Sequence, residues 1–288
     1  MSITDSTTIA AVLSTKGGVA KTTITANLGG FLANHGLKVL MIDGDTRQPT
    51  LSSYYPLTSE SKGGIYELIV NSDTCPANII SRTSHHNLDI IISNDPRGEL
   101  GTLLQNAPDG VIRLRHLVRQ IPGYDIILID TVGARTITLE MVMLASDLVI
   151  SPILPEMLSA REFLRGTLQV YQDLRPFTRY GIPMPPLKGV ISKLDHTTDA
   201  REIHHTLLQV LEQKRIGNEL FAPTEILNTP IFANVVYRRA ASLGVPVHTL
   251  NKKQSKCRTT PSAAQTMRLL AAELFPQFKS LFDLPEDN

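Results

Sequence analysis

Six short apolar runs rich in β-branched residues recur along the chain: IAAVLS (9–14), KVLMID (38–43), LDIIIS (88–93), DIILID (125–130), DLVISPI (147–153) and KGVISKL (188–194). Runs of this kind are candidate buried strands, and longer segments of helical period separate them. Helices are expected at about 21–35, 64–71, 110–121, 136–146, 157–174, 199–215, 231–242 and 262–275. Such alternation predicts an α/β fold: a doubly wound, mostly parallel sheet flanked by helices. With 288 residues and 42% hydrophobic composition the chain can bury a large core. It reads as a single domain over 1–288, with 176–186 as a connection and 276–288 as a loose tail.

A formal net charge of +1 argues against a wholesale polybasic protein but says nothing of local patches. The only cysteines, Cys75 and Cys257, lie far apart, which disfavours a disulfide framework, a zinc site or an iron–sulfur cluster. His85, His86, His204, His205 and His248 offer no metal-ligand spacing and read as surface residues. No Ser-His-Asp or Cys-His arrangement is suggested. No apolar run is long enough to span a bilayer, and MSITDSTT lacks the regions of a signal peptide, so the expectation is a soluble cytoplasmic protein.

The first run leads into STKGGVAKTT (14–23) and then into a helix ending near Gly36. A strand, a glycine-containing loop and a helix N-terminus present backbone N–H groups and the positive end of a helix dipole to one point. That point suits a nucleotide's phosphates. A standard G-x-x-x-x-G-K-[ST] loop aligned on Lys21 wants glycine where the chain has Thr15 and Ala20. Instead there is a Gly17-Gly18 pair, preceded by a second lysine, Lys16. Two other strands end in carboxylates, Asp43-Gly44-Asp45 and Asp130, the form of residues that hold magnesium directly or through water. The competing readings are a tight turn for the glycines and turn or cap chemistry for the aspartates.

KGGVAKTTITANLGGFLA resembles the deviant Walker A motif of the ParA/MinD family of P-loop NTPases, and KVLMIDGD and DIILIDT resemble that family's second motif and Walker B strand. TPIFANVVYRRAASLGVPV (229–247) and AAQTMRLLAAELF (263–275) extend the likeness, which runs from about residue 8 to about 275. The resemblance implies an ATPase that binds ATP and Mg²⁺ and dimerises with two nucleotides sandwiched between subunits. Lys16 would then reach the partner's phosphates, supplying charge to the transferred phosphoryl group only in the dimer. Lys21 would contact the β- and γ-phosphates, and the N–H groups of Gly17, Gly18, Val19, Ala20, Lys21, Thr22 and Thr23 would cradle the chain. Thr22 would ligate magnesium, Asp43 and Asp130 would hold its water shell, and Asp45 would position the attacking water. Loops near Lys193 and Pro230 are the candidates for adenine contacts.

The chain departs from the family pattern at Ala20, where glycine is usual, and at Thr46-Arg47-Gln48-Pro49 after the second motif. DTVGAR (130–135) and SKLD (192–195) also resemble motifs of signal-recognition-particle GTPases, which would make the nucleotide GTP. Partition ATPases of the ParA type bind DNA nonspecifically as ATP dimers and are stimulated by a ParB-type centromere-binding protein, and so associate with the nucleoid. MinD-like members bind membrane through a basic amphipathic helix, to which the acidic, Pro-interrupted FPQFKSLFDLPEDN is a poor match. Arg238, Arg239, Lys252, Lys253, Lys256 and Arg258, with no acidic residue among them, form a candidate DNA-phosphate patch. The reading is a DNA-partition ATPase; a nucleotide-sensing DNA-binding regulator with negligible hydrolysis is the non-enzymatic alternative.

Overall fold

The computed structural model describes residues 7–95, 97–195, 202–203, 205–211, 222–254 and 260–283. All six apolar runs form strands: β1 (Thr8–Val12), β2 (Val39–Asp43), β5 (Leu88–Ile91), β6 (Ile126–Asp130), β7 (Leu148–Ile153) and β8 (Leu187–Leu194). Four shorter strands join them: β3 (Leu57–Ser59), β4 (Ser81–Thr83), β9 (Thr224–Ile226) and β10 (Ile231–Phe232). The sheet order is β10-β8-β7-β1-β6-β2-β5-β4-β3, with β9 also pairing β8. The pairings of β10 through β5 are parallel, whereas β3–β4 and β4–β5 are antiparallel. The sheet is therefore mixed at one edge and parallel at its centre, where β1 lies between β6 and β7.

The strands lack polar alternation because neighbouring side chains enter two different cores. Ile9, Ala11, Leu40, Ile42, Ile127 and Ile129 belong to one. Ala10, Val12, Val39, Met41, Ile126 and Leu128 belong to the other. On the first face lie α2 (Ile65–Val70), α3 (Pro76–Ile79), α4 (Leu100–Asn106), α5 (Arg113–Val118), α6 (Ile137–Ala145), α7 (Met157–Glu162) and α8 (Leu168–Leu174), each with side chains in that core. Residues 202–203 and 205–211 are helical as well (α9) and add Leu207 and Leu211 to it. On the second lie α1 (Lys21–Asn34), α10 (Val235–Leu243), α11 (Val247–Leu250), α12 (Ala263–Leu274) and α13 (Lys279–Phe282). Burial of this continuous apolar surface on both faces is the main favourable term for such a sheet.

Several expectations are corrected. The helix expected from 231 starts at Val235, because Ile231–Phe232 pair with β8 and Asn234 Oδ1 caps the helix by accepting from Val236 N–H at 3.1 Å. The helix expected over 157–174 is interrupted by a π-helical turn at Phe163–Thr167. Residues 276–283 are not loose: a 3₁₀ turn at Pro276–Phe278 leads into α13, and Phe278 and Phe282 are both buried against the α1 face. Apolar side chains at helical spacing have found a core there. His248 is not a surface residue but is 1% exposed, and His85 is half-buried, with its Nε2 3.0 Å from Gly244 O.

Candidate nucleotide site

The carboxyl ends of β1, β2 and β6 meet at the start of α1. Parallel register puts Asp43 opposite Asp130, and Val12 opposite Asp130 on the other side. The three motifs are thus brought together by strand pairing alone. The loop after β1 turns through Gly18 at φ 75° and Ala20 at φ 73°, the latter being the N-cap of α1. Ala20 takes the left-handed conformation in which a Cβ is costly, while its carbonyl accepts the first helical hydrogen bond from Ile24 at 2.9 Å. Gly133 has no room for a side chain: a Cβ there would lie 2.6 Å from Gly17 Cα and 3.0 Å from Lys21 Nζ. Its hydrogen lets the loop after β6 close against the phosphate loop.

The side chains converge on one small volume. Thr22 Oγ1 donates to Asp130 Oδ2 at 2.5 Å. Asp130 is 1% exposed, and its Oδ1 accepts no hydrogen bond. Burial pushes this carboxyl up from the usual range, the Asp43 charge adds to that, and Thr22 and Lys21 oppose it. Asp43 is fully buried and accepts from Ser52 N–H and Oγ–H, both at 2.8 Å, and from Asp45 N–H at 3.1 Å. Burial still lifts it to about 6. Lys21, 7% exposed, has its ammonium lowered by burial against the pull of Asp130 and Asp45, and its Nζ lies 3.5 Å from Lys16 O. Two buried carboxylates, one of them with an unpartnered oxygen, and a hydroxyl form an oxygen-rich donor set suited to a hard divalent cation.

Lys16 points elsewhere. Its Nζ lies 3.5 Å from Glu156 Oε2, in a pair whose side chains are 28% and 59% exposed. Thr15 Oγ1 donates to Glu162 Oε1 at 2.6 Å, so the phosphate loop is tied to both ends of α7. Asp45, half-buried, accepts from Arg47 and Gln48 N–H at 3.1 and 3.0 Å, so its carboxylate nucleates the loop that follows, and Gln48 is exposed.

A cavity of about 550 Å³ opens beside the start of α1, lined by Ala20, Thr23, Lys193, Ile231, Asn234 and Tyr237 among others. Lys193, at φ 55°, donates from Nζ to Gly18 O at 2.8 Å. Pro230 is half-buried and directly precedes the lining residue Ile231. Behind the loop, Asn27 is fully buried in α1: it donates to Thr23 O at 2.7 Å and Tyr54 Oη at 2.9 Å, and accepts from Val247 N–H at 2.7 Å. Sequence reading missed Ser52, Tyr54 and Asn27. Of the basic patch, Arg238, Arg239, Lys252 and Lys253 are exposed, whereas Lys256 and Arg258 lie outside the described residues. Arg238 lines the cavity beside α1, Lys252 and Lys253 line a different one, and Arg239 lines neither of the two.

A phosphate-cradling loop between a central parallel strand and a helix, with acidic ends on two neighbouring strands, defines a P-loop nucleotide-binding fold. A family model described as an AAA domain matches residues 7–178. The probable plasmid-partitioning protein ParA of Thermus thermophilus is 27% identical over 241 residues, covering 83% of this chain and 72% of the relative. The sporulation initiation inhibitor protein Soj of Bacillus subtilis is 28% identical over 244 residues, covering 83% and 89%. In fold, the chain is similar to the septum site-determining protein MinD of Pyrococcus horikoshii complexed with Mg-ADP, at a TM-score of 0.67 and 21% identity over 96% of this chain and 100% of that one. The chain belongs to the ParA/MinD family of P-loop ATPases.

Proposed function

We propose that this protein hydrolyses ATP to ADP and phosphate as a nucleotide-switched homodimer that binds DNA nonspecifically in its ATP state, associates with the nucleoid, and is stimulated by a ParB-type centromere-binding protein. The observation that carries this reading is the divergence of the two loop lysines. Lys21 is buried within the field of the Asp130 carboxyl, whereas Lys16, half-buried, points away from it toward the exposed Glu156, from where it is available to another subunit. A site that leaves one cation facing outward is suited to completion in trans, which couples hydrolysis to association.

Within each subunit, the N–H groups of Gly17 through Thr23 and the end of α1 take the phosphates, and Lys21 neutralises the β- and γ-phosphate oxygens. Thr22, Asp43 and Asp130 would hold magnesium, directly or through its water shell, and the unpartnered Asp130 Oδ1 supports the fit. When bound, magnesium supplies positive charge against the phosphate oxygens and orients the chain for in-line attack. Asp45 orients the attacking water through the oxygen not used by Arg47 and Gln48. The largely apolar cavity at Lys193 and Ile231 takes the base, with Pro230 at its margin.

The DNA-phosphate surface is assigned to Arg238, Arg239, Lys252, Lys253, Lys256 and Arg258, because phosphate contacts need cations rather than base-reading groups and no acid interrupts these six along the chain. The relatives described as a plasmid-partitioning protein and as Soj support this member of the family. Sedimentation of wild type and Lys16→Ala with ATP, ADP and no nucleotide tests the dimer. A dimer that forms equally in all three states sinks the switch, and preferential turnover of GTP sinks the ATP assignment. Turnover measured with and without DNA and a candidate partner distinguishes the enzyme from a slow nucleotide sensor.

A further inference from the structure

Between Glu225 and Glu273 the chain carries no acidic residue, and its seven cations there include one outside the patch identified above, Arg268. Arg268 lies on α12 and lines, with Lys252 and Lys253, a surface cavity of about 420 Å³. The lysines' backbone is not a free loop. Asn251 accepts from the first N–H groups of α12, through Oδ1 from Ala263 at 2.6 Å and through its carbonyl from Ala264 at 3.2 Å. Ser262, the cap of α12, donates to Lys252 O at 3.2 Å. These bonds staple the segment bearing Lys252 and Lys253 to the start of the helix that carries Arg268. The two lysines and the arginine form one preorganised frame, to which the positive end of α12 adds.

Among the described residues of the lining, Asp283 is the one acid. It sits just after α13, which is fastened to the core by buried Phe278 and Phe282. Its Oδ1 is 3.7 Å from Arg268 Nη1, with the two side chains 60% and 47% exposed. A pair this long and this wet is readily exchanged for another anion. Burial of Phe278 and Phe282 commits the apolar side of this segment to the fold, which favours a polyanion in water over a lipid surface as the anion that replaces Asp283.

We propose that Arg268 is a DNA-phosphate ligand and that Asp283 is its internal stand-in, displaced when DNA binds. The proposal rests on the DNA reading above and adds to it a residue and a restraint. DNA binding exchanges a carboxylate for a phosphate on the same guanidinium, and the chain's own acid thereby holds its DNA affinity below the value the cations alone would give.

The test uses the full chain with a non-hydrolysable ATP analogue and a labelled mixed-sequence duplex, titrated at several salt concentrations. Asp283→Asn is expected to tighten binding about two- to fivefold, the range of an exposed ion pair. Arg268→Gln is expected to weaken binding and to reduce the slope of log K against log salt by about one. Arg268→Lys should restore most of that slope, and Asp283→Asn added to Arg268→Gln should change nothing further. Melting curves identify any variant that has lost its fold; the Lys rescue and the Asp283→Asn gain remain decisive in that case. If wild type binds duplex and a Lys252→Gln/Lys253→Gln variant does not, while Arg268→Gln and Asp283→Asn behave as wild type, the DNA reading stands and this proposal falls. If wild type shows no ATP-dependent binding, both fall. Should Asp283→Asn strengthen binding to phosphatidylglycerol vesicles and not to duplex, the surface is a membrane site and the proposal is wrong.

Discussion

Lys16 Nζ and Glu156 Oε2 face each other at 3.5 Å across the gap between the phosphate loop and α7 of the same chain. For Lys16 to reach a partner's phosphates it must leave Glu156. Glu156→Gln removes the restraint without shortening the side chain, and ATP-dependent dimerisation should tighten by up to about fivefold, since an exposed pair contributes at most ~1 kcal/mol. Analytical ultracentrifugation across a concentration series reads this directly. An unchanged or weakened dimer would show that Glu156 does not compete with association.

Ala20 occupies the left-handed region at φ 73°. Glycine meets no Cβ penalty there, so Ala20→Gly should stabilise the nucleotide-free protein by about 1 kcal/mol, less the entropy glycine adds to the unfolded chain. The expected rise in Tm is one to a few degrees, roughly. A fall in Tm would mean that contacts of the Ala20 methyl, which lines the base-sized cavity, outweigh the strain.

Asp130 is a buried carboxyl with one oxygen unpartnered, and burial costs its charge more than the nearby Lys21 ammonium returns. Asp130→Asn is therefore expected to leave the metal-free protein at least as stable, while lowering Mg²⁺-dependent ATP turnover about 10²-fold through loss of charge at the cation site. Denaturant melts and a phosphate-release assay separate the two effects. A destabilised protein with normal turnover would place Asp130 among structural residues.

His248 is buried beside Phe31, and Asn34 Nδ2 lies 2.9 Å from its Nε2, so the amide donates to a neutral ring. Burial, with smaller contributions from His35, His85 and Lys252, lowers its pKa from 6.5 to about 3. Between those values the unfolded chain holds a proton that the folded protein does not, so stability is complete above about pH 6.5 and declines as pH falls toward 3. At pH 5 the loss from this group should be about 2 kcal/mol, and His248→Gln should remove it. Urea melts of both proteins at pH 7 and pH 5 test this, and parallel pH profiles would exclude His248 as the cause.

The centre of the sheet was legible because its strands are buried on both faces, which forces unbroken apolar runs such as DIILID. The sheet's edges were not: Leu57–Ser59, Ser81–Thr83 and Ile231–Phe232 are too short to leave a pattern, and Ile231–Phe232 continues smoothly into the apolar period of α10. The phosphate loop and its aspartates were legible because each sits at a strand end in a fixed local motif. Ser52, which satisfies Asp43 from nine residues away, carried no signal, since a serine in a polar loop has no period to betray it. His248 was misread for the same reason, its burial depending on Phe31 and Asn34 of α1, an element distant in the chain. The interruption at Phe163–Thr167 left no mark on the apolar period; Gly166 stands within it, packed without room for a Cβ beside Glu162 and Thr15.

The three hydrogen bonds of Asn27 restrict what can happen behind the phosphate loop. Aspartate has its shape but neither of its donors, and leucine has its bulk but no polar atoms; either leaves a buried partner unsatisfied. Thr23 lies where the phosphate loop runs into α1, Tyr54 follows the segment after Asp45, and Val247 opens α11 just after α10. A displacement in any one of these segments must carry the other two along or break a hydrogen bond in the core. The amide is thus a shared latch, and the phosphate loop, the segment after the second aspartate and the α10–α11 corner keep common time through it.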